Sequence, residues 1–207
     1  MKLAKLFAVI IAGAAVSVSA QTITFTSESA FVAALNSGYY LENFSSLTAF
    51  DGPLASLSFS GGTPTFSYDI TAAPAGLFVN NDSGLNAVGN FNSGDDMVVT
   101  FTSGNVYAVG AEFYLNNLAG VNQDGTIFLS FSNGTTGSAP SSASGPYGFF
   151  GIISATPITS MTVQADVNSF INMANLYSGA APVPEPTTIG LGLLGGLVGL
   201  ACARRKK

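Results

Sequence analysis

Residues 97–131 read MVVTFTSGNVYAVGAEFYLNNLAGVNQDGTIFLSF, and this stretch decides the fold class. Three runs within it, Met97 to Thr102, Val106 to Leu115 and Thr126 to Phe131, are rich in β-branched, aromatic and other apolar residues. Between them lie Ser103-Gly104-Asn105 and a segment ending in Asn122-Gln123-Asp124-Gly125. Such residues close turns, because Gly tolerates positive φ and Asn and Asp bond their own backbone. Short apolar runs bounded by turn residues are the pattern of antiparallel strands.

Outward from this stretch the pattern repeats. Upstream, Thr22-Ile23-Thr24-Phe25-Thr26 alternates at period two. Further runs span Tyr40 to Phe44, Leu57 to Ser60, Thr65 to Ile70 and Gly76 to Val79. Downstream they are Gly148 to Ile153, Ile158 to Val163 and Ile171 to Tyr177. A single short helix fits the domain, Glu28 to Leu35, with Ser27 to cap it, Phe31, Val32 and Leu35 on one face, and Asn36-Ser37-Gly38 to end it. Ser132 to Pro146 is rich in Gly, Ser and Thr and reads as a long flexible loop. The expectation is an all-β domain, a jelly-roll-like β-sandwich of ten or eleven strands with one short N-terminal helix. Lys, the usual guard of sheet edges, is missing, so Asp69, Asp95 and Asp96 are the candidates for that role.

The two ends of the 207-residue chain differ from this domain. Lys2 and Lys5 precede an apolar run from Leu6 to Val16, and Val18-Ser19-Ala20 ends in small residues. That is the layout of a secretory signal peptide over residues 1–20, cut by signal peptidase between Ala20 and Gln21. The folded domain is then residues 21–181. At the other end, Pro182, Pro184 and Pro186 make an extended linker. A single apolar transmembrane helix at about 187–203 and a basic stop of Arg204, Arg205, Lys206 and Lys207 complete the tail, 182–207. The helix is short for a hydrocarbon core of about 30 Å. Its basic end stays cytoplasmic, which leaves the domain outside.

Charge narrows the function. All six Lys and Arg residues lie in the two end segments, and the chain has no His. Residues 21–181 therefore carry ten acidic side chains and no basic one. Nucleic acid is excluded as a partner, since nothing there can displace counterions from phosphate. Side-chain ion pairs are excluded as a source of stability. Ser or Cys triads lack a base, zinc lacks its usual ligands, and no Gly-Lys-Ser/Thr cradle for phosphate occurs. The only cysteine, Cys202, sits in the apolar tail, so no intrachain disulfide forms. Paired carboxylates could still hydrolyse glycosides, but the domain has no Trp or Arg to hold a sugar, and the reading is that it is not an enzyme. Oxygen-rich stretches at Asn80 to Gly84, Gly94 to Asp96 and Asn122 to Gly125 make Asp82, Asp95, Asp96 and Asp124 candidates for a bound Ca2+. Asn and Asp offer hydrogen bonds and Tyr offers stacking faces for sugar, with Tyr147 and Phe149 as the best exposed candidates.

Val183-Pro184-Glu185-Pro186, a short apolar helix and the terminal Arg204-Arg205-Lys206-Lys207 together resemble the PEP-CTERM sorting signal. The resemblance implies that an exosortase reads Pro184, Glu185, Pro186, Arg204 and Arg205 and cuts near the Pro-Glu-Pro. It also implies a Gram-negative host that makes exopolysaccharide, often in a biofilm. ITFTSESAFVAAL followed by LENFSSL, and later FFGIISATPITSMTV, are similar to passenger domains of such proteins, which are expected to resemble galactose-binding jelly rolls. The expected product is exported through the inner membrane, held as a membrane-anchored precursor, and then placed on the cell surface or in the extracellular matrix. Its expected role is binding exopolysaccharide, with a purely structural or adhesive surface protein as the alternative.

Overall fold

The computed structural model describes residues 22–180, apart from 36, 37, 83, 146 and 166–168. The chain begins with β1 (Ile23–Phe25), α1 (Glu28–Ala34) and β2 (Tyr40–Glu42), followed by β3 (Leu57–Gly61), β4 (Phe66–Ala72), β5 (Leu77–Asp82) and β6 (Leu85–Asn90). Then come β7 (Met97–Phe101), β8 (Ala108–Asn116), β9 (Asn122–Gln123), β10 (Gly125–Phe131) and β11 (Thr136–Ser141). Last are β12 (Gly148–Ile153), β13 (Ser160–Ala165) and β14 (Phe170–Gly179). Two antiparallel sheets result. The first runs β1-β12-β8-β14-β6-β5, with β2 beside β14 and β9 beside β8; the second runs β11-β10-β13-β7-β4-β3.

Alternation along the strands makes the core. On β4 the side chains of Phe66, Tyr68, Ile70 and Ala72 are buried, while Ser67, Asp69 and Thr71 are not. Met97, Val99 and Phe101 do the same on β7, and Val109, Ala111, Phe113 and Leu115 point inward from β8. These faces join one apolar cluster between the sheets. Burying such side chains contributes about 1.5–3 kcal/mol each, which is what holds a domain with neither ion pairs nor a disulfide.

The first sheet also has an outer layer. Helix α1 starts at Ser27, whose hydroxyl accepts the Ala30 amide at 3.4 Å. It lays Phe31 across β8 and β12 with Ala108, Phe149, Ile153 and Tyr177 around it. Two glycines make room. A Cβ on Gly110 would lie 2.9 Å from the Phe31 ring, and one on Gly151 would lie 2.8 Å from it.

Strand β14 is the long central strand. Its first half pairs with β6, through Asn172 and Gly89, and its second half pairs with β2, through Leu176, Tyr177 and Ser178. The register against β8 shifts between Ala174 and Tyr177, where Asn175 has φ of 48°. The free edge of β5 is covered by the segment before β3. Phe50 donates to the Val79 carbonyl at 2.7 Å, Val79 donates to Asp51, and Leu54 and Leu77 exchange backbone bonds.

Several expectations change. The stretch from Ser132 to Pro146 holds β11, in register with β10 from Ser141↔Gly125 to Thr136↔Ser130 and with Ala139 buried. A Ser/Gly-rich run becomes a strand because β10 supplies its ladder. Strands β6 and β9 were not anticipated, and Asn80 to Asp82 belong to β5 instead of a loop. The expected strand from Tyr40 stops at Glu42, since Phe44 turns the chain at φ 56° and buries its ring in the core. Asp69 guards no edge. It lies on β4, between β3 and β7, and accepts the Ser58 hydroxyl at 2.6 Å. Asp95 is buried. The signal peptide, its Ala20–Gln21 cleavage site and the tail at 182–207 lie outside the described residues. Among the described residues no helix is long and apolar enough to cross a membrane.

Candidate functional site

The outer face of the first sheet is open where α1 does not reach. Here β5, β6, β8 and β14 turn alternate residues outward, and three of these are asparagines, Asn80, Asn116 and Asn172. With Asn90 they line a pocket of about 430 Å³, within the range of about 300–1,000 Å³ usual for small-molecule sites. Its walls are aromatic and aliphatic, from Phe50, Phe78, Phe91, Phe170 and Leu118. No ionisable side chain contributes to the lining. Leu118 is 90% and Phe50 67% exposed, so the rim is apolar and open to solvent.

The asparagines form one connected set. Asn80 Nδ2 donates to Tyr114 Oη at 3.3 Å and to Asn172 Oδ1 at 3.4 Å. Asn172 Nδ2 donates to Asn116 Oδ1 at 3.0 Å and to the Phe170 carbonyl at 3.2 Å. Asn90 sits behind them. Its Nδ2 donates to the carbonyls of Asn92 and Asp95, and its Oδ1 accepts the Ile171 amide at 2.7 Å. Gly89 permits the arrangement, since a Cβ there would lie 2.7 Å from Asn172 Oδ1. Amides connected in this way hold a floor rigid. The loop from Asn117 to Val121 forms one wall, and Asn117 Oδ1 braces it by accepting the amides of Ala119 at 2.9 Å and Val121 at 3.1 Å.

Beside this floor the tyrosines stack. The rings of Tyr114 and Tyr147 lie 4.6 Å apart at 21°, and Tyr147 donates its hydroxyl to Asp82 Oδ2 at 2.9 Å. Asn122 Nδ2 donates to the same oxygen at 3.0 Å. Burial pushes the Tyr114 phenol up. It does the same to Tyr147, helped by the bond to Asp82, so both phenols stay neutral. Further along β8, Glu112 accepts from Asn175 Nδ2 at 2.6 Å. Burial raises its carboxyl above the usual range; the Asn175 bond opposes this and the Glu28 charge adds to it.

The residues singled out from sequence fall in different places. Asp95 Oδ2 accepts the Ala75 amide at 3.0 Å, Asp96 Oδ2 accepts Gln164 Nε2 at 2.7 Å, and Asp124 Oδ1 accepts the Ala143 amide at 2.8 Å. Asp82 is held by Tyr147 and Asn122. Each carboxylate is thus engaged by neutral donors, and no group of three potential metal ligands converges among the described residues. Tyr147 adjoins the site as a half-buried ring. Phe149, expected to be exposed, is 6% exposed and packs under α1. The asparagine floor and the phenylalanine walls were missed. Their only signal was the recurrence of Asn at Asn80, Asn116 and Asn172, inside or beside apolar runs.

The pocket and the last described residues lie at opposite ends of one strand. Phe170 and Asn172 open β14 at the pocket, and Gly179 closes it before residue 181. The first strand is at the Gly179 end too, since Ile23 pairs with Ile153, Ile153 with Ala108, and Ala108 with Gly179. At about 3.3 Å per residue the separation is about 30 Å.

Residues 182–206 match the family model described as the PEP-CTERM protein-sorting motif. That motif marks the chain as an exported, cell-surface-sorted protein processed by an exosortase. No curated protein matches the chain.

Proposed function

We propose that this exosortase-sorted protein displays a binding module for neutral glycan, and that the glycan belongs to the exopolysaccharide around the cell. The observation that carries this reading is the pocket. Its lining joins phenyl faces, which stack on the apolar faces of sugar rings, to fixed amides, which hydrogen-bond their hydroxyls. The absence of any ionisable group in the lining suits an uncharged ligand. Strand order supports the likeness to galactose-binding jelly rolls. The strands β6-β14-β8-β12 face β7-β13-β10-β11, and this wrapping of eight strands in two sheets is that of a jelly roll. The placement of the pocket fits display. A domain held through residue 181 turns the pocket away from its attachment. In this reading the helix at 187–203 anchors the precursor, and cleavage near Pro184-Glu185-Pro186 passes the domain to the surface or the matrix. The domain performs no catalysis.

A second reading, a structural or adhesive surface protein, draws on the outer face of the other sheet. The registers place Ser58, Asp69, Thr100 and Ser160 in one row, and Thr71, Val98, Thr162, Ser130 and Thr136 in the next. Such a hydroxyl-rich face suits broad, weak adhesion.

The test is titration of the full-length protein in detergent with exopolysaccharide from the producing cells, in calcium and in chelator. The expected result is saturable binding in both buffers, weakened at least tenfold in the Phe50→Ala/Phe91→Ala variant. Absence of binding in both overturns the glycan reading and leaves the adhesive one.

A further inference from the structure

The hydrogen-bonding capacity of the pocket is mostly used within the protein, and what is left over has a definite character. Asn80, Asn90 and Asn172 have both amide ends engaged by neighbours. Asn116 and Asn117 differ. Their Oδ1 atoms accept, Asn116 from Asn172 and Asn117 from the Ala119 and Val121 amides. Neither Nδ2 makes a hydrogen bond among the described residues. Two consecutive lining residues, Asn116 and Asn117, thus keep NH2 groups, which only donate, within a lining that is otherwise largely phenyl and aliphatic.

An unmodified pyranose fits this poorly. It brings several hydroxyls, each both donor and acceptor, and a hydroxyl buried without partners carries a desolvation penalty. An acetyl group fits well. Its carbonyl oxygen accepts from NH2 donors, and its methyl packs on aromatic rings. Resting on the glycan reading above, we infer that the pocket takes an acetylated unit of an uncharged sugar chain, with the acetyl carbonyl on Asn116 and Asn117 and its methyl among Phe78, Phe91 and Phe170. The pocket volume of about 430 Å³ leaves room for the ring that bears the group.

Chitotriose and cellotriose share a β-1,4-linked glucan backbone and differ by acetamide in place of hydroxyl. The expected result with full-length protein is chitotriose bound at least tenfold more tightly, or exopolysaccharide binding cut at least tenfold by mild alkaline deacetylation if the group is an ester. Asn116→Asp and Asn117→Asp keep the accepting oxygens that Asn172, Ala119 and Val121 use and remove the donors. Each variant should reduce the preference below twofold while its urea midpoint shows that it folds. Equal affinity for the two trisaccharides overturns the acetyl assignment, and so does binding of the exopolysaccharide alone that survives deacetylation; both leave glycan binding standing. No binding to the trisaccharides or to the exopolysaccharide overturns glycan binding itself, and the acetyl assignment with it.

Discussion

Asn172 donates to Asn116 across 3.0 Å, joining β14 to β8 beneath the pocket. Both side chains are nearly inaccessible to solvent, so neither can replace the other with water. Removing Asn172 leaves Asn116 Oδ1 without its donor and Asn80 Nδ2 with Tyr114 Oη alone. Asn172→Ala should lower stability by about 1–3 kcal/mol, read as a lower urea midpoint with unchanged m-value. It should also abolish glycan binding, because the floor loses its bracing. Wild-type stability in this variant would show that the amide set is not cooperative.

The contact of Phe31 with Gly151 supplies a second prediction. A methyl at Gly151 must displace the Phe31 ring, 2.8 Å from its Cβ position, and overpacking of this kind costs about 1–3 kcal/mol. Phe31→Ala, at a fully buried ring, should cost about 3–5 kcal/mol. In the double variant the added methyl no longer meets the Phe31 ring and has only Phe149 Cε1, at 3.1 Å, to displace. Gly151→Ala should then cost at least about 0.5 kcal/mol less than it does beside Phe31, a coupling that denaturation of the four proteins measures. Additive costs would mean that α1 does not depend on this glycine.

Glu112 predicts a pH dependence. Its folded-state carboxyl titrates above its unfolded value, chiefly through burial. A group raised in this way penalises the folded state when ionised. Stability should therefore rise as pH falls through the folded value toward the unfolded one, about 4.3. Glu28, Asn175, Tyr147 and Tyr177 are the ionisable and polar neighbours in play. Glu112→Gln keeps an acceptor for Asn175 and removes the charge. It should stabilise the protein at pH 7 by less than about 1 kcal/mol, given the screening of a half-exposed group, and have no effect near pH 3. Urea midpoints across this range test it, and a destabilised Glu112→Gln protein at pH 7 would reverse the sign argued here.

The neutral lining predicts indifference to salt. With no ionisable group in the pocket, affinity for a neutral glycan should change less than twofold between 50 and 500 mM NaCl. A pocket reading charge would lose affinity as the Debye length shrinks from about 14 to about 4 Å. A steep salt dependence would place binding elsewhere on this acidic domain.

Strand positions were legible wherever turn residues and apolar alternation agreed. Gly148–Ile153 is the strand that was read from the residues, and α1 begins where Ser27 caps it. Leu85–Asn90 and Thr136–Ser141 were not legible, because each looks like turn composition. β5 and β14 supply the ladder for one, and β10 for the other. Phe149 misled for a related reason: its neighbourhood reads as a loop edge, but the helix that covers it is more than a hundred residues away in sequence.

The sequence by itself determined the sorting motif the chain carries and where its charges lie. The sorting motif at 182–206 is a contiguous string, and the confinement of every cation to the two ends is a matter of count. Neither depends on how the chain folds. Only the tertiary structure decided the pocket. Asn80 and Asn172 are 92 residues apart and Asn116 and Asn172 are 56 apart, so no local pattern could tie them. Asparagine also reads as turn chemistry until a sheet face fixes its side chain. Packing β8, β14, β6 and β5 in that order into one sheet turned three such residues into a floor, and the loop after β8 into its wall.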